Sequence, residues 1–176
     1  ATPAIKPIPT VREHVIVAGF GRIGSQVTRS LVTAKVPCRA LDINPERVSR
    51  AQALDHTVYF GDASRIEILR SAGASHASMV VFTMDHMESI GQAAVAVREA
   101  FPKLPVYARA WDLRMAKRLS ALGVDYTIPE TLAAGRQLSQ EVLQASGVPE
   151  QVSLRIVEDT LDRKRHMISK PSTADR

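Results

Sequence analysis

Three glycines stand at i, i+2 and i+5 in the stretch HVIVAGFGRIGSQVTRSL, His14 to Leu31: Gly19, Gly21 and Gly24. They follow a short apolar run and lead into a helical pattern, which is the setting in which a glycine loop holds phosphate. In that arrangement Gly19 makes the tight turn, Gly21 lets a phosphate approach the backbone, and Gly24 brings helix and sheet together. The helix behind the loop offers unpaired N–H groups and a partial positive charge to an anion. Asp42 lies 18 residues past Gly24, near the spacing at which an acid accepts ribose hydroxyls. A carboxylate there repels a 2′-phosphate, so NAD(H), AMP, ADP or ATP are expected ahead of NADP. The same Asp42 can instead cap the helix of Asn44 to Leu54, and Arg22 either pairs with a phosphate or lies on the surface.

Further polar residues fall where strands should end. Gly61, Asp62 and Ala63 follow one apolar run; Thr83, Met84 and Asp85 follow the next. In open α/β sheets ligands bind outside the carboxyl ends of strands, so these residues are expected around an adenine or second ribose. Asp62 can equally cap a helix starting near Arg65. Arg109 in YARAWD either faces the phosphates or pairs with Asp112. No catalytic constellation accompanies them. His14, His56, His76, His86 and His166 are dispersed, without a partner at catalytic or metal spacing. No G-x-S-x-G, C-x-x-C or G-K-[ST] pattern occurs, and a dehydrogenase would need a substrate domain with an acid/base partner. The expectation is binding without catalysis and without a metal.

The elements that must position these residues alternate strictly. Strands are predicted at Val15–Ala18, Cys38–Asp42, Thr57–Phe60, Met79–Thr83, Val106–Arg109 and Val124–Ile128. Helices are predicted at Arg22–Ala34, Pro45–Leu54, Arg65–Ala72, Met87–Phe101, Leu113–Leu122 and Leu132–Ser146. Six β-α units of this kind argue for an α/β fold, a doubly wound parallel six-stranded sheet with helices on both faces. Asn44 reads as an N-cap and Pro45 as a first-turn proline. After Gly147 and Pro149 the pattern weakens: VSLRIVEDTL reads as strand or helix, and the chain from Asp162 as polar and loose.

Composition sets the outer bounds. The 176 residues, 45% hydrophobic, suffice for one well-buried core. Apolar runs such as Met79 to Met84 fall far below the roughly 18 residues a membrane span needs. The start, ATPAIKPIPT, has three prolines and reads as an extended linker, with no export signal in it. Cys38 is the single cysteine, so no internal disulfide can form, and a reducing compartment fits. The net charge of +5 is scattered apart from Arg163, Lys164 and Arg165, and aromatics amount to 5%. A nucleic-acid partner is therefore not expected.

Several segments together resemble one family: HVIVAGFGRIG, ALDINPERV, VYFGDASRIEILRSAGASHASMVVFTMD, FPKLPVYARAWD and LGVDYTIPETLAAGRQL. They are similar to the regulator-of-potassium-conductance domain, also called RCK, KTN or TrkA-N, in the variety found at the cytosolic end of Kef-type potassium/proton antiporters. The resemblance covers roughly Glu13 to Gly147. It implies residues 1–12 as linker, 13–147 as a Rossmann-type domain, and 148–176 as a partly disordered extension. It further implies a homodimer that binds NAD(H), AMP or another adenine nucleotide as a gating signal, joined to a transmembrane antiporter domain of the same full-length chain at the cytoplasmic face of the inner membrane. The positions matching the family's nucleotide site are Gly19, Phe20, Gly21, Arg22, Ile23, Gly24, Asp42, Ile43, Asp62, Ala63, Thr83, Met84 and Arg109. Glutathione-gated members add a tripeptide site. Arg29 is the one position here that matches it, and the segment Thr127–Thr131, TIPET, lacks their basic residues, which argues against glutathione as a partner. The dimer is expected through Leu132, Leu138, Val142 and Leu143, with Glu130 near the interface. Burial of that stripe on the domain's own sheet is the alternative.

Overall fold

The structure, a computed structural model, describes residues 13–169, with side chains to Lys164. The expected linker of residues 1–12 and the last residues of the extension lie outside that range. The strands are β1 (Val15–Ala18), β2 (Cys38–Asp42), β3 (Val58–Phe60), β4 (Met79–Phe82), β5 (Val106–Ala110) and β6 (Tyr126–Pro129). The helices are α1 (Arg22–Thr33), α2 (Pro45–Ala53), α3 (Ile66–Ser71), α4 (Met87–Ala100), α5 (Leu113–Ala121), α6 (Glu130–Ala145) and α7 (Glu150–Ser169), with one turn of 3-10 helix at Ala74–His76. The six strands form one parallel sheet in the order β3-β2-β1-β4-β5-β6. This is the doubly wound, Rossmann-type arrangement, whose strand order reverses between β1 and β4.

Alternation along β1 explains why both faces need cover. Val15 and Val17 join Ala40, Val48, Ala51, Val58 and Phe20 in one cluster, against which Val27 and Leu31 of α1 also pack. Ile16 and Ala18 point to the other face and are equally buried. Register then aligns the strand ends. Ala18 pairs with Leu41 on one side and Phe82 on the other, and Asp42 pairs with Phe60. The residues that follow, Gly19, Ile43, Gly61 and Thr83, therefore leave the sheet along one edge.

The chain divides into two compact units: residues up to Arg109 with Arg118–Thr127, and Ala110–Lys117 with residues from Ile128 on. In the second unit α6 packs against α7. Three expectations change here. The last strand lies at Tyr126–Pro129, later than read, because the Asp125 carboxylate accepts the Val106 N–H at 2.8 Å and the Arg98 guanidinium at 2.8 Å. Helix α6 starts at Glu130, directly after Pro129, instead of at Leu132. The chain from Glu150 is helix to Ser169, which resolves the strand-or-helix pattern of VSLRIVEDTL as helix and replaces the loose chain expected from Asp162; Ser153 and Val157 bury its inner side. Among the described residues no helix is long and apolar enough to cross a membrane.

Candidate nucleotide-binding site

The strand ends enclose a pocket of about 240 Å³, lined by residues that follow β1 to β4 and by the start of α2. Gly19, Gly21, Asp42, Ile43, Asp62, Ala63, Thr83 and Met84 all line it, as do Leu41, Asn44, Arg47, Gly61, Asp85 and His86. Residues from four strands are thus brought together at the place where the strand order reverses.

The three glycines have three different surroundings. Gly19 has φ +105°, in the left-handed region, and a Cβ on it would stand 2.7 Å from the Thr83 hydroxyl. A Cβ on Gly24 would stand 1.9 Å from the Gly19 carbonyl oxygen, which forces α1 and β1 to touch without a side chain between them. Gly21 is unlike both: its φ is −80° and a Cβ there would meet only Arg47 Nη1, at 4.0 Å. Neither backbone nor packing demands a glycine at 21, and its emptiness opens on the pocket. Gly21 is also the N-cap of α1 and supplies no side-chain cap, so the first N–H groups of the helix are left for a ligand or water.

Thr83 fixes the loop from below. Its hydroxyl donates to the carbonyls of Ala18 and Gly19, at 3.0 and 3.1 Å, and its N–H donates to Ala18 at 2.8 Å. Asp42, 4% exposed, is the most heavily bonded group in the pocket. Its Oδ2 accepts the Phe20 N–H at 2.7 Å and Arg47 Nη1 at 2.9 Å, and its Oδ1 accepts the Asn44 N–H at 2.8 Å. Asn44 in turn caps α2, accepting the Arg47 N–H at 3.0 Å, with Pro45 in the first turn as the sequence implied. Asp62 does not cap α3. Its Oδ1 accepts the N–H and hydroxyl of Ser64, while α3 begins at Ile66 with no side-chain cap.

The remaining predicted positions stand around the pocket without lining it. Phe20 buries its ring in the core beside His56, so only its backbone reaches the site. Arg22 and Ile23 are exposed on the first turn of α1, and Gly24 is buried behind it. Arg109 pairs with Asp85 at 2.8 Å and reaches the Thr83 carbonyl at 3.3 Å, holding a pocket residue in place. Asp112, its proposed alternative partner, caps α5 by accepting the Met115 N–H at 2.8 Å. Arg29 is exposed on α1.

Sequence reasoning passed over Arg47 and His86. The signal for Arg47 was present: it is the third residue of a helix that starts just after Asp42, and helical side chains lean toward the helix N-terminus. His86 had a weaker one, as the N-cap position of α4 in the short loop that follows β4.

Comparison with known proteins agrees with this fold. The chain is 34% identical over 136 residues to K(+) efflux antiporter 2, chloroplastic, of Arabidopsis thaliana, covering 77% of this chain and 12% of that protein. It is 34% identical over 135 residues to the glutathione-regulated potassium-efflux system protein KefC of Klebsiella pneumoniae, covering 77% of this chain and 22% of that one. The chain therefore spans a quarter or less of these relatives' length. Among solved structures, a Shewanella denitrificans Kef CTD in AMP-bound form superposes with a TM-score of 0.77 at 29% identity, covering 88% of this chain and 94% of that one. Residues 15–130 match the TrkA-N domain, and with the sheet order, the glycine loop and these relatives in agreement, the chain belongs to the TrkA-N domain family.

Proposed function

We propose that this chain is the nucleotide-sensing regulatory domain of a monovalent cation (potassium)/proton antiporter. It binds AMP, NAD(H) or another adenine nucleotide without turning it over, at the cytoplasmic face of the inner membrane, and residues 13–147 form the binding domain. The observation that carries this reading is Gly21: a glycine that neither backbone nor packing requires, open to a pocket beside a buried carboxylate. Phosphate would approach Gly21 and the start of α1, ribose would meet Asp42, and adenine would lie toward Ile43, Asp62 and Ala63. Met84 would line the adenosine half, with Thr83 holding the loop from below. Arg22, Ile23 and Arg109 would act from the rim.

The potassium-efflux relatives and the AMP-bound Kef domain support the assignment. Gating would follow from linkage: a ligand that prefers one arrangement of a domain dimer biases transport by its differential affinity. Exposed Leu138 and Val142 on α6 support a homodimer through that helix. Glutathione is left out of this reading, because TIPET carries no cation where the tripeptide site would need one.

Calorimetry with AMP and NADH tests the reading. The wild-type chain is expected to bind. Gly21→Ala is expected to fold, with at most about 1 kcal/mol lost at the cap, and to bind at least tenfold more weakly. A wild-type chain that binds neither nucleotide, or a Gly21→Ala variant with unchanged affinity, counts against the site. Substrate-dependent oxidation of NADH by the isolated chain would favour a fragment of an oxidoreductase instead.

A further inference from the structure

Arg47 changes the chemistry of the ribose end of the pocket. Taken alone, Asp42 is an anion that repels a 2′-phosphate, but in the folded chain it is a carboxylate already paired with a guanidinium at 2.9 Å. The pair is neutral overall. A carboxylate offers about four lone-pair sites, and three donors occupy Asp42: the N–H groups of Phe20 and Asn44, and Arg47 Nη1. A ribose with both hydroxyls donating to Asp42 would bring two donors to the one site left, and so would compete with a donor already there.

The two backbone donors are held by the end of β1 and the start of α2. Arg47 is the one that can move, since its side chain is 42% exposed. Its backbone is not free to follow, because the Arg47 N–H is bound to the Asn44 side chain. The guanidinium also lies 4.0 Å from the place a Cβ on Gly21 would take. It therefore stands beside both Asp42 and Gly21.

A nucleotide with a free 2′-hydroxyl would compete with Arg47 for Asp42, at the expense of a charge-assisted bond. One with a 2′-phosphate would leave Arg47 in place and give its other nitrogens an anion. An arginine beside the end of the second strand is the device by which sheets of this kind accommodate that group. We propose that Arg47 is the specificity-determining residue of the pocket, and that through it the pocket accepts 2′-phosphorylated adenine nucleotides at least as readily as unphosphorylated ones. The inference rests on the nucleotide reading above, and reverses the preference that Asp42 alone would impose.

AMP and adenosine 2′,5′-bisphosphate differ only in the group at issue. Calorimetry at one fixed ionic strength should find the bisphosphate bound to the wild-type chain as tightly as AMP or more tightly. In Arg47→Ala, with folding checked by circular dichroism, the bisphosphate should weaken at least tenfold while AMP stays the same or tightens. Arg47→Lys should fall between, because an ammonium keeps the charge and loses the fork. AMP binding with the bisphosphate at least tenfold weaker overturns this inference and leaves the nucleotide reading standing. An equal loss of both ligands in Arg47→Ala also overturns it, making Arg47 a general phosphate contact. A wild-type chain that binds neither compound overturns both.

Discussion

The strand-end pocket and the α6–α7 pair make opposite use of the same residue types. At the strand ends the space a Gly24 side chain would need is filled by the Gly19 carbonyl, and the Asp42 carboxylate is shared among three donors. In the helical unit Gly135 has nothing within 4 Å of a would-be Cβ, and Leu138, Val142 and Ile156 are 66%, 55% and 44% exposed. Leu132 and Val157 are buried there, and Arg136 pairs with Glu158 across the two helices, yet the outer apolar side chains find no cover among the described residues. The first region is over-determined by its own chain. The second leaves part of its apolar surface uncovered among the described residues. Expected sensitivities follow: a single methyl group should matter greatly in one and little in the other.

The largest contrast should come from Gly24→Ala. Its methyl would meet backbone oxygen at 1.9 Å, so the loop or α1 must shift, at a cost of about 3 kcal/mol or more. Denaturant unfolding would show this as a drop in midpoint, together with loss of nucleotide binding. A variant as stable as the parent would show that α1 and the Gly19 carbonyl can part at no cost.

Next in size is Leu138→Asp. Sedimentation at micromolar concentration should find the parent chain dimeric and the variant a folded monomer, because the charge would be desolvated at a shared apolar face. A monomeric parent, or a variant that unfolds, would show that Leu138 serves its own chain and would remove the contrast drawn here.

A smaller effect of opposite sign is expected from Gly135→Ala. Mid-helix, exposed and unobstructed, this substitution should raise stability by about 0.5–1 kcal/mol. A loss instead would indicate that a partner approaches the backbone at that point.

The smallest expected effect is a pH dependence at the far end of the strands. His14 is fully buried just before β1, its Nε2–H donates to the Ala72 carbonyl at 2.7 Å, and its Nδ1 has no partner among the described residues. Burial pushes its pKa below the usual 6.5; the Ala72 bond works the other way, and the charges of Arg39 and His76 push it down further. As pH falls below 6.5 the unfolded chain takes up the proton first, so stability is full above that value and declines beneath it. Melting curves from about pH 8 to about pH 5.5 should show this loss in the parent and less of it in His14→Gln. Parallel curves would assign the slope to other groups.

Much of the fold was legible because it depends on local pattern. The bounds of β1 and β2 agree residue for residue with the apolar runs that end at Gly19 and Ile43. The glycine spacing and the acid at the end of β2 pointed to the edge of the sheet where the pocket lies. Less legible were the elements whose limits depend on distant partners. Tyr126–Pro129 is strand and Val124 is not because Asp125 ties itself to Val106 and Arg98, far away in sequence.

The sequence by itself determined the alternation of strands and helices, the α/β class and the loop suited to phosphate, since each follows from short-range spacing and from glycine's lack of a side chain. Only the tertiary structure decided that Gly24 is filled by backbone while Gly21 stays open, and that Phe20 turns into the core. Those outcomes depend on which side chains the register of β1, β2 and β4 brings within a few ångströms, and no spacing along the chain encodes that distance.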